Sequence, residues 1–204
     1  AQVDRSCGRE SLGGRTRAIA ALEDKSLNDA MWDAAGVTRA PARVVPADRQ
    51  SILVAARDLD RGDGTVWSAD ASDGMNGGGD RVRWVRTPSD AEDALDLLLS
   101  RTRQLRLMPF LEGVPCSIHG FVLPDGVAVF RPVEQVILRS ATDPRFVYAG
   151  ISTWWDPSDD DREQMREVAR RVGRHLQRSE DFRGGYSVDG ILTSGGFRPT
   201  ELNP

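Results

Sequence analysis

The sequence is nearly empty of lysine. Of its 27 lysines and arginines only Lys25 is a lysine, so cationic chemistry anywhere else falls to arginine. Histidine and cysteine are equally sparse, at 2 each. Cys7 and Cys116 form no metal-binding motif and are too few for a disulfide framework, which fits a cytoplasmic location. No apolar run approaches the ~20 residues that cross a bilayer, and the opening residues do not read as a signal peptide, so no membrane association is expected. The 31 acidic residues outweigh the basic ones and leave a formal charge of -4, which excludes a general polyanion-binding surface. There is no basic helix and no aromatic strand pair flanked by lysines, so no nucleic-acid partner is expected. The dinucleotide fingerprint G-x-G-x-x-G is missing after the first strand, as are internal repeats and low-complexity tracts.

What is present is an ordinary globular composition, 39% hydrophobic and 28% charged over 204 residues, enough for one sizeable core or two small lobes. The patterning predicts an α+β chain with antiparallel strands. Ser26 reads as the cap of a helix whose stripe is Leu27, Ala30, Met31 and Ala34, with Gly36 behind it. Further helices are predicted over 51–59, from the box Ser89-Asp90-Ala91-Glu92 to about Arg103, and after Ser158, where Met165, Val168, Ala169, Val172 and Leu176 line one face. Strands are expected over 42–45, 65–69, 81–85, 105–109, 116–123, 127–133, 187–192 and 197–203. The chain stops at Glu201-Leu202-Asn203-Pro204, straight after an apparent strand, and is expected to be the central part of a longer protein.

Two stretches carry chemistry. A turn centred on Gly195 puts Asp189 opposite Glu201, and the two-residue strand period puts Asn203 on the same face. Like charges directly opposite are unfavourable unless a cation or a proton intervenes, and hard oxygen donors of this kind suit Mg²⁺. The bland alternative leaves Glu201 and Asn203 facing solvent. The loop 70–80 (DASDGMNGGGD) offers Gly74, Gly77, Gly78 and Gly79, whose backbone N–H groups can curl round an anion; it is not a Walker A loop, because it lacks the G-K-[ST] ending.

The order and spacing of these pieces resemble an ATP-grasp domain of the carboxylate–amine ligase type. Asp24-Lys25-Ser26 through Gly36-Val37-Thr38-Arg39-Ala40-Pro41 is similar to the family's opening motif, and Asp73 to Gly79 resembles its phosphate lid. Leu107-Met108-Pro109-Phe110-Leu111-Glu112-Gly113 resembles the interlobe strand and hinge, and Val188-Asp189-Gly190 with Glu201-Leu202-Asn203-Pro204 resembles the metal-binding hairpin. The resemblance implies two lobes with antiparallel sheets gripping ATP: 24–109 as the small lobe with the glycine-rich loop, 110–204 as the C-terminal lobe with the hairpin, and 1–23 as a partial N-terminal segment or linker. It implies Asp189, Glu201 and Asn203 as ligands of Mg²⁺, with Mn²⁺ as an alternative. It implies Asn76, Gly77, Gly78 and Gly79 over the phosphates, Met108, Phe110 and Leu111 around adenine and Glu112 at the ribose, with Lys25 of the opening motif and Ser68 of the strand before the loop also at the cofactor. Arg131 and Arg139 are the candidates for stabilising the transferring phosphoryl group. The implied reaction activates a small-molecule carboxylate as an acyl phosphate for attack by an amine, and homo-oligomerisation is left open.

The sequence also departs from the family. Ser68 stands where the strand before the loop usually carries a lysine, Pro115-Cys116 where a ribose-binding acid is common, and Ser187 where many carboxylate ligases have an arginine. Either arginines such as Arg81 or Arg83 are recruited to the phosphates, or the domain binds a nucleotide or a partner without ligase activity. His119 and His175 read as packed residues, and Cys116 as a small buried hydrophobe.

Overall fold

The protein is described by a computed structural model over residues 22–72, 79–140 and 142–204. Its first helix, α1 (Lys25–Ala34), is capped by Asp24, whose carboxylate accepts from the Ser26 backbone N–H at 2.9 Å. The sequence pattern put that cap at Ser26. A carboxylate outcompetes the hydroxyl here because it also accepts from Ser26 Oγ at 2.7 Å and leaves its second oxygen free for a partner elsewhere.

A four-stranded antiparallel sheet follows, built from β1 (Arg43–Pro46), β2 (Thr65–Ala69), β3 (Val82–Val85) and β4 (Gln104–Pro109) in the order β1-β4-β2-β3. Helices α2 (Arg49–Leu59) and α3 (Pro88–Leu98) cover one of its faces. Asp48 caps α2, and Thr87 caps α3 in a reciprocal box with Asp90, so both helices begin slightly before the positions that the pattern suggested. Strand alternation then sorts the residues. Trp67, Ala69, Leu105 and Leu107 enter the core with Ile52 of α2 and Leu95 and Leu98 of α3, whereas Val66, Ser68, Arg106 and Met108 face the other way.

The second sheet is also antiparallel, from β5 (Val114–Val122), β7 (Val133–Leu138), β8 (Val147–Ser152), β9 (Gly184–Thr193) and β10 (Gly196–Asn203), in the order β10-β9-β5-β7-β8; β6 (Val127–Val129) pairs with β5. The strand expected over 127–133 is therefore two strands. Pro132 has no N–H to give to a ladder and interrupts the run. The 21-residue helix α4 (Asp159–Ser179), capped by Ser158, lays Met165, Val168, Ala169, Val172 and Leu176 onto this sheet. These two sheets make the α+β architecture the sequence implied.

One element sits with the other lobe. Sequence reading grouped α1 with the small lobe, yet Met31 and Trp32 are buried in the core made by α4, β5, β9 and β10. The anchor is Asn28, 1% exposed, whose Oδ1 accepts from the backbone N–H of Leu202 at 3.0 Å. Its Nδ2 donates to the carbonyls of Asp24 (2.7 Å) and Leu22 (3.1 Å). Asn28→Ala strands the buried Leu202 N–H, and should cost about 2 kcal/mol. Thermal denaturation should then show Tm about 4–8 °C lower at this chain length; an unchanged Tm would remove Asn28 from this role.

Candidate functional site

The sheets turn their uncovered faces toward one another across a cleft of about 610 Å³. That volume suits a nucleotide-sized ligand. The hairpin β9–β10 forms part of its wall. Pairing starts with Gly196 opposite Thr193, one residue out of step with a turn centred on Gly195. A bulge between Pro199 and Glu201 restores the step, so Glu201 does face Asp189 and Asn203 faces Ser187. Gly190 permits this close pairing: a Cβ there would lie 2.4 Å from the Arg198 carbonyl oxygen and 2.6 Å from the Phe197 ring.

Asp189, Glu201 and Asn203 all line the cleft. Asn203 Nδ2 donates to Asp189 Oδ2 at 3.2 Å and to Ser187 Oγ at 3.4 Å, which turns the carboxamide oxygen away from both. Lys25, at the start of α1, places Nζ 2.6 Å from Glu201 Oε1 and relieves the repulsion between the facing carboxylates. Among the described residues no three His, Cys, Asp or Glu side chains gather as a metal-holding group. The set is two carboxylates and an amide, and a cation held there would complete its shell with oxygens of water or substrate.

The stem of the glycine-rich loop is tied down by two aspartates that the sequence reading passed over. Asp24 Oδ2 accepts from the backbone N–H of Ala71 at 3.1 Å, joining the cap of α1 to the loop. Asp70 accepts from Ser72 Oγ (2.5 Å) and Thr102 Oγ1 (2.6 Å), and from the backbone N–H groups of Ser72 (3.1 Å) and Gln104 (3.1 Å). Burial alone would raise the Asp70 pKa; the hydrogen bonds from Ser72, Thr102 and Gln104 outweigh it and hold the carboxyl below its ordinary value. Gly79 lines the cleft, whereas Asn76, Gly77 and Gly78 lie outside the described residues.

At the other end of the cleft Met108, Phe110 and Leu111 line the wall. Trp84 stacks on Phe110 with centroids 4.1 Å apart, and the Arg139 guanidinium lies 5.3 Å from the Phe110 centroid. Three expectations change place. Arg139 contacts Phe110, Trp84 and Glu112 (3.7 Å), which puts it at the hinge mouth among aromatic faces rather than at the acidic hairpin. Arg131 does not line the cleft; half exposed, it stands 3.4 Å from Asp156. Glu112 points outward with its side chain 75% exposed and does not line the cleft, unlike Phe110, Leu111 and Gly113 beside it.

Ser68 lines the cleft without a charge, and directly opposite it on β4 stands Arg106. Ser117 and His119 of β5 also line the cleft, paired across the ladder with Asp189 and Ser187, so His119 is a wall residue and not simply packed. An arginine inside the run Gln104-Leu105-Arg106-Leu107-Met108 of a central strand was the signal available for Arg106. Cys116 faces the core, where burial pushes its thiol up to about 12.

No family model and no curated protein matches this sequence. Solved structures do match. One is N5-carboxyaminoimidazole ribonucleotide synthetase in its ADP complex, at TM-score 0.71 and 14% identity over 91% of this chain and 46% of that one. Another is D-alanyl-alanine synthetase A from Vibrio cholerae, at TM-score 0.71 and 15% identity over 99% of this chain and 60% of that one. A third is carboxyaminoimidazole ribonucleotide synthase from Aspergillus clavatus with ATP, at TM-score 0.71 and 16% identity over 98% and 49%. The chain thus spans only 46 to 60% of these structures. Architecture and likeness together give this chain the ATP-grasp fold. None of its described helices is long and apolar enough to cross a membrane.

The Asp70 network yields a pH prediction. A carboxyl with a depressed folded pKa contributes stability that is present above its unfolded pKa, ~3.9, and is lost as pH falls through the folded value. Asp70→Asn should therefore destabilise the protein at pH 7 by about 1–3 kcal/mol, and the gap to the parent should narrow below about pH 4. Urea denaturation at pH 7 and pH 3 checks it; a gap independent of pH would count against the assignment.

Proposed function

We propose that this chain is the nucleotide-binding part of an ATP- and Mg²⁺-dependent ligase that joins a small-molecule carboxylate to an amine. The observation carrying this reading is the convergence of Asp189, Glu201 and Asn203 on the wall of a nucleotide-sized cleft whose far end is apolar and whose rim is the stem of a glycine-rich loop. The solved structures that share the fold include ligases and complexes with ADP or ATP, which supports the same reading.

The donor set fits the ion. Magnesium takes hard oxygens, and Asp189, Glu201 and the carboxamide oxygen of Asn203 offer them, with Asn203 held in place through its own N–H groups. Bound there, magnesium or manganese would neutralise charge on the triphosphate during phosphoryl transfer. The chain's own residues do the positioning. Met108, Phe110 and Leu111 hold the base against an apolar wall; Asp24 and Asp70 fix the loop stem beside the phosphates; Lys25 stands ready to move from Glu201 to a phosphate oxygen. In the reaction, a substrate carboxylate oxygen bonds to the γ-phosphorus as the bond to ADP breaks. The amine nitrogen then bonds to the acyl carbon, phosphate leaves with the C–O bond pair, and the amine gives up a proton.

A second reading draws on Ser68, which brings no charge to the cleft wall, and on Glu201, already neutralised by Lys25. It makes the domain a nucleotide- or partner-binding module without ligase activity.

Calorimetric titration of ATP and ADP into the full-length protein, with and without Mg²⁺, separates the outcomes. Binding should require Mg²⁺ and fall at least ~100-fold in Glu201→Ala/Asn203→Ala, about what two lost charge-assisted contacts would cost. ADP release on supplying acid and amine would favour the ligase, and Mg²⁺-dependent binding without turnover the second reading. No binding by the folded protein at millimolar nucleotide would remove both nucleotide readings.

A further inference from the structure

Among the described residues Arg106 is the only arginine or lysine that is buried, at 2% exposure. Its Nε and Nη2 fork onto Asp29 of α1 at 3.0 and 2.7 Å. That bidentate grip removes rotamer freedom and fixes the plane of the guanidinium. The remaining nitrogen, Nη1, has the Met108 thioether as its partner, at 3.2 Å. Sulfur is a weak acceptor, and a buried cationic N–H left on it is short of a hydrogen bond that water or a phosphate would have given. This donor lies on the wall of the cleft.

Its position along β4 is specific. By alternation Met108, Arg106 and Gln104 share one face of the strand, and the first two line the cleft. The Gln104 side chain donates to Ser26 Oγ at 3.0 Å, and its backbone N–H to Asp70 at 3.1 Å, at the loop stem. Arg106 therefore stands between Met108 and the loop stem along this strand. A second orphan donor lines the same cleft: Ser117 Oγ is buried at 2% exposure, has no hydrogen-bond partner among the described residues, and sits on β5 directly opposite Asp189. Two buried donors short of acceptors in one cleft, one of them cationic, are what an oxyanion ligand would satisfy.

We propose that Arg106 is a phosphate-binding residue: with its guanidinium held by Asp29, Nη1 donates to a non-bridging oxygen of the nucleotide's α- or β-phosphate in place of the Met108 thioether, while Ser117 donates from the β5 wall. The positive charge missing at Ser68 of β2 is thus supplied from the neighbouring strand. This rests on the nucleotide reading above and adds a residue that neither the loop nor the hairpin pattern predicts.

The test compares ADP with adenosine, since only ADP carries the groups Arg106 would hold. Both are titrated at fixed salt and saturating Mg²⁺ into the full-length protein and into Arg106→Met/Asp29→Asn, which removes the buried pair together and leaves no uncompensated carboxylate. Arg106→Lys, which keeps the charge, is the third protein, and thermal melts establish that each is folded. ADP affinity should fall at least ~10-fold in the double variant, the loss expected for one hydrogen bond to a charged group. Adenosine affinity should change less than ~3-fold, about the scatter of surface substitutions, and Arg106→Lys should recover part of the ADP loss. Equal losses for ADP and adenosine, or unchanged ADP binding, would overturn the proposal and leave Arg106 as a structural tie between α1 and β4. Failure of the parent protein to bind ADP would instead remove the nucleotide reading itself, and this proposal with it.

Discussion

The arrangement depends on a buried carboxamide. Asn28 lies between α1 and β10 and hydrogen-bonds to both, accepting from Leu202 N–H and donating to the carbonyls at the start of its own helix. Leu202 is the residue between Glu201 and Asn203, so the bond fixes the backbone on which both cleft-lining side chains are mounted. It also sets the height of α1 against the second sheet, which puts Lys25 Nζ on Glu201 and brings Asp24 to the backbone of Ala71. A single apolar side chain at that position could fill the space but could not satisfy the N–H, and the strand would be free to shift.

Around that tie, the site follows from alternation. Each sheet is covered by helices on one face, so its apolar residues at every second position are spoken for, and the intervening residues have only the cleft to face. Leu105 and Leu107 enter one core; Arg106 and Met108 between and beyond them enter the cleft. Cys116 and Ile118 enter the other core, and Ser117 and His119 enter the cleft. Helix α1 belongs to the second core by packing but touches the first sheet through Asp29 and Ser26, so it is a strut between the two rather than a part of either.

Much of this was legible in the chain, for reasons that differ by element. The face-to-face pair Asp189 and Glu201 followed from a turn estimate that was off by one, rescued by a bulge that no local pattern announces. The hinge residues Met108, Phe110 and Leu111 were named through the family resemblance alone, and they do line the cleft. Arg131 and Arg139 were not, because a long side chain's direction depends on where its strand ends. Pro132 separates Arg131 from β7, and the aromatic faces of Phe110 and Trp84 draw Arg139 to the hinge. Asp24, Asp70 and Arg106 bond to partners 32 to 77 residues away in sequence, distances over which periodicity says nothing.

The scarcity of lysine gives the cleft its electrostatic character. Among the described residues its lining holds the cations Lys25, Arg106 and Arg139. Arg106 is a planar group forked onto Asp29, and Arg139, partly exposed, lies over the Phe110 ring. Lys25 is a point charge on a flexible stem with its salt bridge to Glu201 only partly buried, the side chains being 15% and 26% exposed. The ammonium has no fork to hold it, so it can change partners more readily than a bidentate guanidinium. The cleft therefore combines a preset guanidinium with one exchangeable ion pair, whose carboxylate lies on the strand that Asn28 holds in place.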